Sequence, residues 1–321
     1  MICEKVYKPI QSYECLNSCI TGYSNYNGFN VCCDDVFFIG DGFDISIIKK
    51  DIPTIGARLY ESNFDFMDNV GIKYVIDKFA CREEAESFLD NAVKEEKTLS
   101  IKVSSELLEH SRVFRQTENS PHYLNIIGMS ESKLYIADGY VPTSDPTSYD
   151  GLVDKNAIIE AWQKMEFRYI LTDYDNVSKS LTCVKEIANK KFIKQLSDYI
   201  ANDVEKMVIG ELLNYLENCI KCNKDNKLVK DTFIKVNYQL KIYGYITSKR
   251  YIYEKIARDW CDNELVNRYK QIIDRWNKVC ILLLKAGYGN SLKQLLLTKE
   301  NILNLIEEEM SILNEILCRY K

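Results

Sequence analysis

The stretch Ser120-Pro121-His122-Tyr123-Leu124-Asn125-Ile126-Ile127-Gly128-Met129-Ser130-Glu131-Ser132-Lys133-Leu134-Tyr135-Ile136-Ala137-Asp138 decides how the chain is read. Apolar and aromatic residues fill two short runs, Tyr123–Gly128 and Lys133–Ala137, separated by a polar Ser-Glu-Ser-Lys turn. Antiparallel strands joined by a tight turn place the start of the first beside the end of the second. His122 opens the first run and Asp138 closes the second, 138 − 122 = 16 residues later. The two side chains are therefore expected side by side. A carboxylate there can hold one imidazole nitrogen, set the tautomer and leave the other nitrogen for proton transfer. The competing reading is a structural histidine beside a turn aspartate. The chain has only two histidines. The other, His110, lies in the polar segment Glu106-Leu107-Leu108-Glu109-His110-Ser111-Arg112 and is expected to be exposed and uninvolved.

Outward from this hairpin, Val36–Ile39, Ile72–Ile76 and Leu99–Val103 also read as strands, and Leu16–Tyr26 and Arg82–Glu95 as helices. Phe167–Leu171 reads as one last strand. Asn27-Gly28, Gly40-Asp41-Gly42 and Pro142–Pro146 are turn or loop signals. The implied class for the first half is α+β, an antiparallel sheet with packed helices. Beyond it the pattern turns helical, with apolar stripes at Phe192, Leu196, Ile200 and Val204, at Ile272, Trp276, Val279, Cys280 and Leu283, and at Ile302, Leu305, Ile306, Met310, Leu313 and Leu317. We expect a first domain over 1–175 and a helical domain over 176–321.

A nucleophile stands upstream. In Gln11-Ser12-Tyr13-Glu14-Cys15-Leu16-Asn17-Ser18-Cys19, Cys15 sits at the expected start of a helix, where free N–H groups and the positive dipole end favour thiolate. Cys19, one turn on, reads as core.

The bulk properties bound the rest. The 321 residues are 46% hydrophobic, enough for one large or two ordinary domains. No run of about 18 uncharged apolar residues exists, so no membrane span is expected. The beginning of the sequence lacks the apolar block of a signal peptide, which suggests a cytoplasmic protein. Twelve cysteines in a chain of this size are expected to be reduced, mostly buried thiols. The lone Cys219-Ile220-Lys221-Cys222 lacks a second ligand pair, so no metal is expected. A net charge of −5 gives no support for nucleic-acid binding. Within Lys221–Arg258, ten basic residues, among them Lys224, Lys227 and Lys230, face only Asp225, Asp231 and Glu254. This basic run reads either as a solvated face or as a landing surface for an acidic partner.

Glu14-Cys15 followed by Tyr26-Asn27-Gly28, and the later His-Tyr-strand-Gly-turn-strand-Asp unit, resemble the C39-like branch of the papain superfamily. Together with Phe37–Phe43 and Leu99–Val103, the N-terminal half resembles the butirosin biosynthesis protein H N-terminal-domain family over about residues 10–165. That group includes an amide-forming transferase of closthioamide assembly. The resemblance implies a papain-like (C39-like) cysteine-protease fold followed by an α-helical domain. It also implies an acyltransferase that moves an acyl group from a carrier-protein thioester, through a Cys15 acyl-enzyme, onto an amine in secondary metabolism. Cys15, His122 and Asp138 would form the triad. The partners would be an acyl or peptidyl carrier protein, docking on Lys224, Lys227 and Lys230, and a small-molecule amine. No cofactor would be needed beyond the phosphopantetheine on the carrier. Gln11 would serve the oxyanion, although it precedes Cys15 by only 15 − 11 = 4 residues where the family places it five or six before. Leu16 also stands where C39 peptidases have glycine after the nucleophile. A cysteine peptidase or thioester hydrolase with the same triad, and a non-enzymatic helical adaptor with Cys15 buried, remain open.

Overall fold

The computed structural model describes residues 7–48, 51–114, 120–142, 146–175, 177, 181–223, 225–242, 244–259 and 262–320. In chain order they form α1 (Cys15–Tyr26), α2 (Cys33–Ile39), β1 (Ser46–Ile48), β2 (Thr54–Gly56), α3 (Glu61–Val70), β3 (Lys73–Lys78), α4 (Arg82–Lys94) and β4 (Thr98–Ser104). A short 3-10 turn, Ser105–Leu107, precedes β5 (Pro121–Met129), β6 (Lys133–Val141), β7 (Thr147–Asp154), α5 (Lys155–Gln163) and β8 (Arg168–Asp173). Six helices follow: α6 (Leu181–Ala201), α7 (Val204–Cys222), α8 (Asn226–Ile242), α9 (Tyr245–Asp259), α10 (Asn263–Tyr288) and α11 (Leu292–Tyr320). The chain is a mixed α/β protein with an antiparallel sheet and many helices.

Two compact units emerge, one from residues up to Val36 with Asn63–Glu186, the other from Phe37–Ser62 with Ile187 onward. A single cut after residue 175 misses the excursion of 37–62 into the second unit. The cause is aromatic packing. Phe38 meets Phe192 at 4.7 Å and Phe37 stacks on Tyr251 at 4.5 Å. Gln195 completes the attachment, donating to the Phe38 carbonyl and accepting the Phe43 N–H.

The first unit is built on a six-stranded sheet, ordered β3-β8-β4-β5-β6-β7 and antiparallel throughout. Alternation along each strand sorts its side chains onto two faces. Leu99, Ile101 and Val103 of β4 and Leu124 and Ile126 of β5 join Ala85 and Leu89 of α4 and Ile158, Ile159 and Trp162 of α5 in one apolar core. The opposite face carries Ser100 paired with Asn125, whose amide donates to the Cys19 carbonyl of α1. Tyr23 of α1 places its hydroxyl between the backbone of Leu99 and Ile126. Where β6 passes under α1 only glycine fits, because a Cβ on Gly139 would fall 1.6 Å from Ser18 Oγ and 2.0 Å from the Ile10 carbonyl oxygen.

One expected strand is a helix. Val36–Ile39 is the apolar end of α2, fully buried, and an apolar run this short does not distinguish strand from helix. The deciding residues lie just ahead of it. Asp34 and Asp35 occupy the first turn, and Asp35 accepts the Cys32 N–H, which favours a helix start. The sequence reading also passed over β7 and α5.

In the second unit the stripe of α10 is buried as expected. In α11 the position turned inward is Glu309 rather than Met310, and in α6 it is Tyr199 rather than Ile200. These departures have one origin, a polar knot inside the helices. Lys249 Nζ lies 2.6 Å from Glu205 Oε1 and 2.7 Å from Glu309 Oε1, all three side chains fully buried. Tyr245 donates to Glu205, while Tyr269 at 3.0 Å and Trp276 at 2.7 Å donate to Glu309. The nine cysteines whose side chains are described are free thiols; Cys19, Cys219 and Cys280 are buried, whereas Cys32, Cys222 and Cys318 are exposed, contrary to the expectation of mostly buried thiols.

Candidate active site

Cys15 is the first residue of α1, as the sequence indicates, and Gly28 follows the helix with φ +90°, a value glycine adopts without strain. The residue before it changes the electrostatics. Glu14 is the N-cap, and its carboxylate accepts the N–H groups of Leu16 at 2.9 Å and Asn17 at 2.5 Å, with the Asn63 amide at 3.2 Å. Its Oε1 also lies 3.4 Å from Cys15 Sγ. The helix N-terminus thus meets a half-buried acid instead of the thiol. Desolvation first, and the Glu14 charge second, push the Cys15 pKa well above the ordinary cysteine value. The expectation of a helix-stabilised thiolate is therefore corrected: burial and the Glu14 charge favour the thiol form of Cys15. Glutamate is not among the favoured N-cap residues, which is why its role was not read from the sequence. Desolvation raises the pKa of Glu14 too, against the N–H donors that lower it.

The hairpin brings His122 to Asp138 as its spacing indicates. His122 Nε2 lies 2.9 Å from Asp138 Oδ2, with both side chains buried. The sequence reading of His110 was wrong. Its side chain is 1% exposed, and its Nε2 makes a 2.9 Å hydrogen bond to the same Oδ2. Leu108, fully buried two residues earlier, was the signal that this segment turns inward. Asp138 Oδ1 accepts the Tyr140 N–H at 3.0 Å. Burial alone would raise the Asp138 pKa, but the charge and hydrogen bonds of the two imidazoles outweigh it and lower it to about 2. Asp138 is therefore a carboxylate, an acceptor only; His110 Nε2 donates to it, while His122 Nε2 stands 2.9 Å away without hydrogen-bond alignment.

The sulfur meets β5 one residue beyond the histidine, where the Tyr123 backbone N–H lowers the thiol pKa by hydrogen bonding. His122 pairs with Val103 and Tyr123 with Lys102, so alternation turns the His122 side chain towards the α4–α5 core and Tyr123 towards α1. Among the described residues no hydrogen bond joins Cys15 to His122. Lys102 lies over the Tyr123 ring at 5.9 Å and interacts with Cys15; desolvation and Arg168 lower its pKa. Gln11 spends an amide hydrogen on the Pro146 carbonyl rather than on the neighbourhood of Cys15.

Elsewhere, Lys224 lies outside the described residues, Lys227 is exposed, and Lys230 sits 4.5 Å over the Tyr288 ring. Lys249 and Lys255 of the same basic run are buried, which shortens it as a surface feature. Among the described residues no group of three or more His, Cys, Asp or Glu side chains is arranged to hold a metal ion, and no helix is long and apolar enough to cross a membrane.

Comparison with family models gives no match, and no curated protein matches. Among solved structures the chain is similar to a crystal structure of a Bacillus anthracis protein given as a C39-like peptidase, at 14% identity and a TM-score of 0.37, over 54% of this chain and 97% of that one. The butirosin-type family and its closthioamide member find no counterpart in these comparisons.

Proposed function

We propose that the first unit is a papain-like, cysteine-dependent acyl-transfer enzyme with Cys15 as nucleophile, His122 as base and Asp138 as the group that orients the base. The observation that supports this reading most is the 2.9 Å approach of His122 Nε2 to buried Asp138 on β5 and β6, the strands against which α1, headed by Cys15, is packed. With Nε2 turned to the carboxylate, the other nitrogen of His122 is the one able to take a proton. Alternation along β5 turns the His122 side chain to the sheet face opposite α1, so this reading requires Cys15 and His122 to be brought together on donor binding.

The reaction balances in two halves. His122 takes the thiol proton, and the sulfur attacks the thioester carbonyl. The old C–S bond breaks, and the departing thiolate takes the proton from His122. An amine then attacks the acyl-enzyme and loses a proton to His122, and Cys15 leaves as the thiol with that proton. The donor is an acyl or peptidyl carrier-protein thioester, and the phosphopantetheine belongs to the carrier. Lys227 and Lys230 on α8 offer basic charge for such an acidic partner. Water in place of the amine gives the hydrolase alternative.

Intact-mass spectrometry after incubation with an acyl thioester tests the proposal. A single acyl adduct on Cys15, absent in Cys15→Ala and His122→Ala and discharged faster by amines than by water, supports it. Undiminished adduct formation in Cys15→Ala removes it.

A further inference from the structure

We propose that His110 is a positioning residue of this site, holding Asp138 in the orientation that fixes the tautomer of His122. The inference rests on the reading of His122 as the base. It starts from an asymmetry at one oxygen atom. Two imidazole nitrogens stand 2.9 Å from Asp138 Oδ2, yet only that of His110 is aligned as a hydrogen bond. His122 Nε2 is buried and lacks an aligned partner among the described residues. The carboxylate is held by the Tyr140 N–H on one oxygen and by His110 on the other, and His122 meets an acceptor whose direction is already set.

His110 is itself firmly seated. Its ring stacks on Tyr149 at 4.6 Å with planes 27° apart, and Phe114 meets it edge-on at 5.3 Å. Phe114 also packs against His122 at 4.9 Å, so both imidazoles share one aromatic wall. Tyr149 pairs with Asp138 across β6 and β7, which ties the seat of His110 to the carboxylate through the backbone. Among the described residues His110 Nδ1 is buried without a partner, and the ring's one polar contact is with Asp138. A carboxylate oxygen can accept two N–H bonds; His110 makes the first, and His122 Nε2 stands at 2.9 Å, in reach of the second once it aligns. Without His110 the carboxylate regains rotational freedom, and neutral His122 can place its proton on either nitrogen. Only the form protonated at Nε2 presents Nδ1 as a base.

The presence of only two histidines makes the test direct, since nitrogen-15 labelling of histidine gives resolvable signals for both. In the full-length protein, at a pH where both rings are neutral, His122 should show the Nε2–H tautomer. His110→Phe keeps the ring packing and removes the donor; it should convert His122 to a tautomer mixture. His110→Gln, whose amide reaches the same oxygen, should restore the single tautomer. Acylation of Cys15 should slow by about tenfold in His110→Phe at unchanged KM, a fraction of the roughly 10²–10⁴ a general base contributes, and recover in His110→Gln. A folded His110→Phe protein whose His122 remains wholly in the Nε2–H form overturns the inference. If His110→Phe does not fold, His110→Gln decides, because it keeps its donor and a mixed tautomer there has the same force. The nitrogen signals need no turnover, so failure of the acyl-transfer reading shows in the Cys15 adduct assay and failure of this one in the spectrum.

Discussion

The imidazole of His110 donates to Asp138 from a position sealed from solvent, 138 − 110 = 28 residues away in sequence and outside the hairpin that carries Asp138. A buried carboxylate that accepts two N–H bonds, with a further imidazole nitrogen 2.9 Å away, is stabilised as an anion, and that has measurable consequences.

The first is acid stability. The Asp138 pKa falls from 3.8 to about 2 in the folded chain, so the folded state binds this proton less readily than the unfolded one. The associated stability is present above pH 3.8 and is lost as pH falls through about 2. A shift of this size corresponds to about 2 kcal/mol. Urea unfolding between pH 5 and pH 2 should show the loss in the first unit. Asp138→Asn should flatten that dependence and lower stability at pH 7; a slope equal to wild type would contradict the assignment.

Glu14 should govern the reactivity of Cys15. Glu14→Gln keeps an acceptor for the helix N–H groups but removes the negative charge beside the sulfur, so the thiol should ionise at lower pH. Alkylation by iodoacetamide at pH 8, followed by intact mass, should become about tenfold faster. Equal rates would mean that desolvation alone sets the thiol.

Gly139→Ala should be poorly tolerated. The added methyl would collide with the Ile10 carbonyl, which is backbone and cannot turn aside as a side chain can. Relief requires moving α1 or β6, and overpacking of this kind costs about 1–3 kcal/mol. Thermal unfolding should show the loss, and Cys15 acylation should fall with it, because Gly139 follows Asp138 and its carbonyl accepts the Ser12 N–H. An unchanged melting temperature would show that the two elements are less tightly fitted.

In the second unit, Glu205 is raised to about 7 by burial and by the Glu309 charge, with Lys249 opposing. A raised acid holds its proton more tightly when folded. Stability associated with Glu205 therefore declines as pH climbs from 4.5 towards 7, opposite in sign to Asp138. Lys249→Met should leave two buried carboxylates without a cation and destabilise this unit by about 3–5 kcal/mol. Calorimetry of the variant at pH 5 and pH 7 checks both statements, with the deficit expected to be larger at pH 7.

Much of the first unit could be read from local pattern. The spacing of His122 and Asp138 encodes their adjacency because strand pairing converts sequence distance into position, and Cys15 is found where a helix start was expected. What escaped depends on groups distant in sequence. Nothing beside His110 announces Asp138, and nothing beside Cys15 announces that Glu14 would turn to Asn63 and the helix N–H groups. Val36–Ile39 went astray for a similar reason: a run of four apolar residues suits any buried element, and its fate was set by Phe192 and Tyr251, more than 150 positions away.

The Glu205–Lys249–Glu309 knot also constrains how this chain can change over time. Its charges come from α7, α9 and α11, and α10 supplies the Tyr269 and Trp276 donors. Loss of Lys249 strands two acids, and loss of either acid leaves buried O–H or N–H donors without their acceptor, so a drift towards an apolar interior here must pass through less stable intermediates before a fully apolar set of matching volume becomes neutral or better. The knot therefore acts as a ratchet on substitution. Descendants of this sequence should keep the three charged residues together or replace them together, and a homologue carrying Lys249 with only one of its two acids would be the exception to explain.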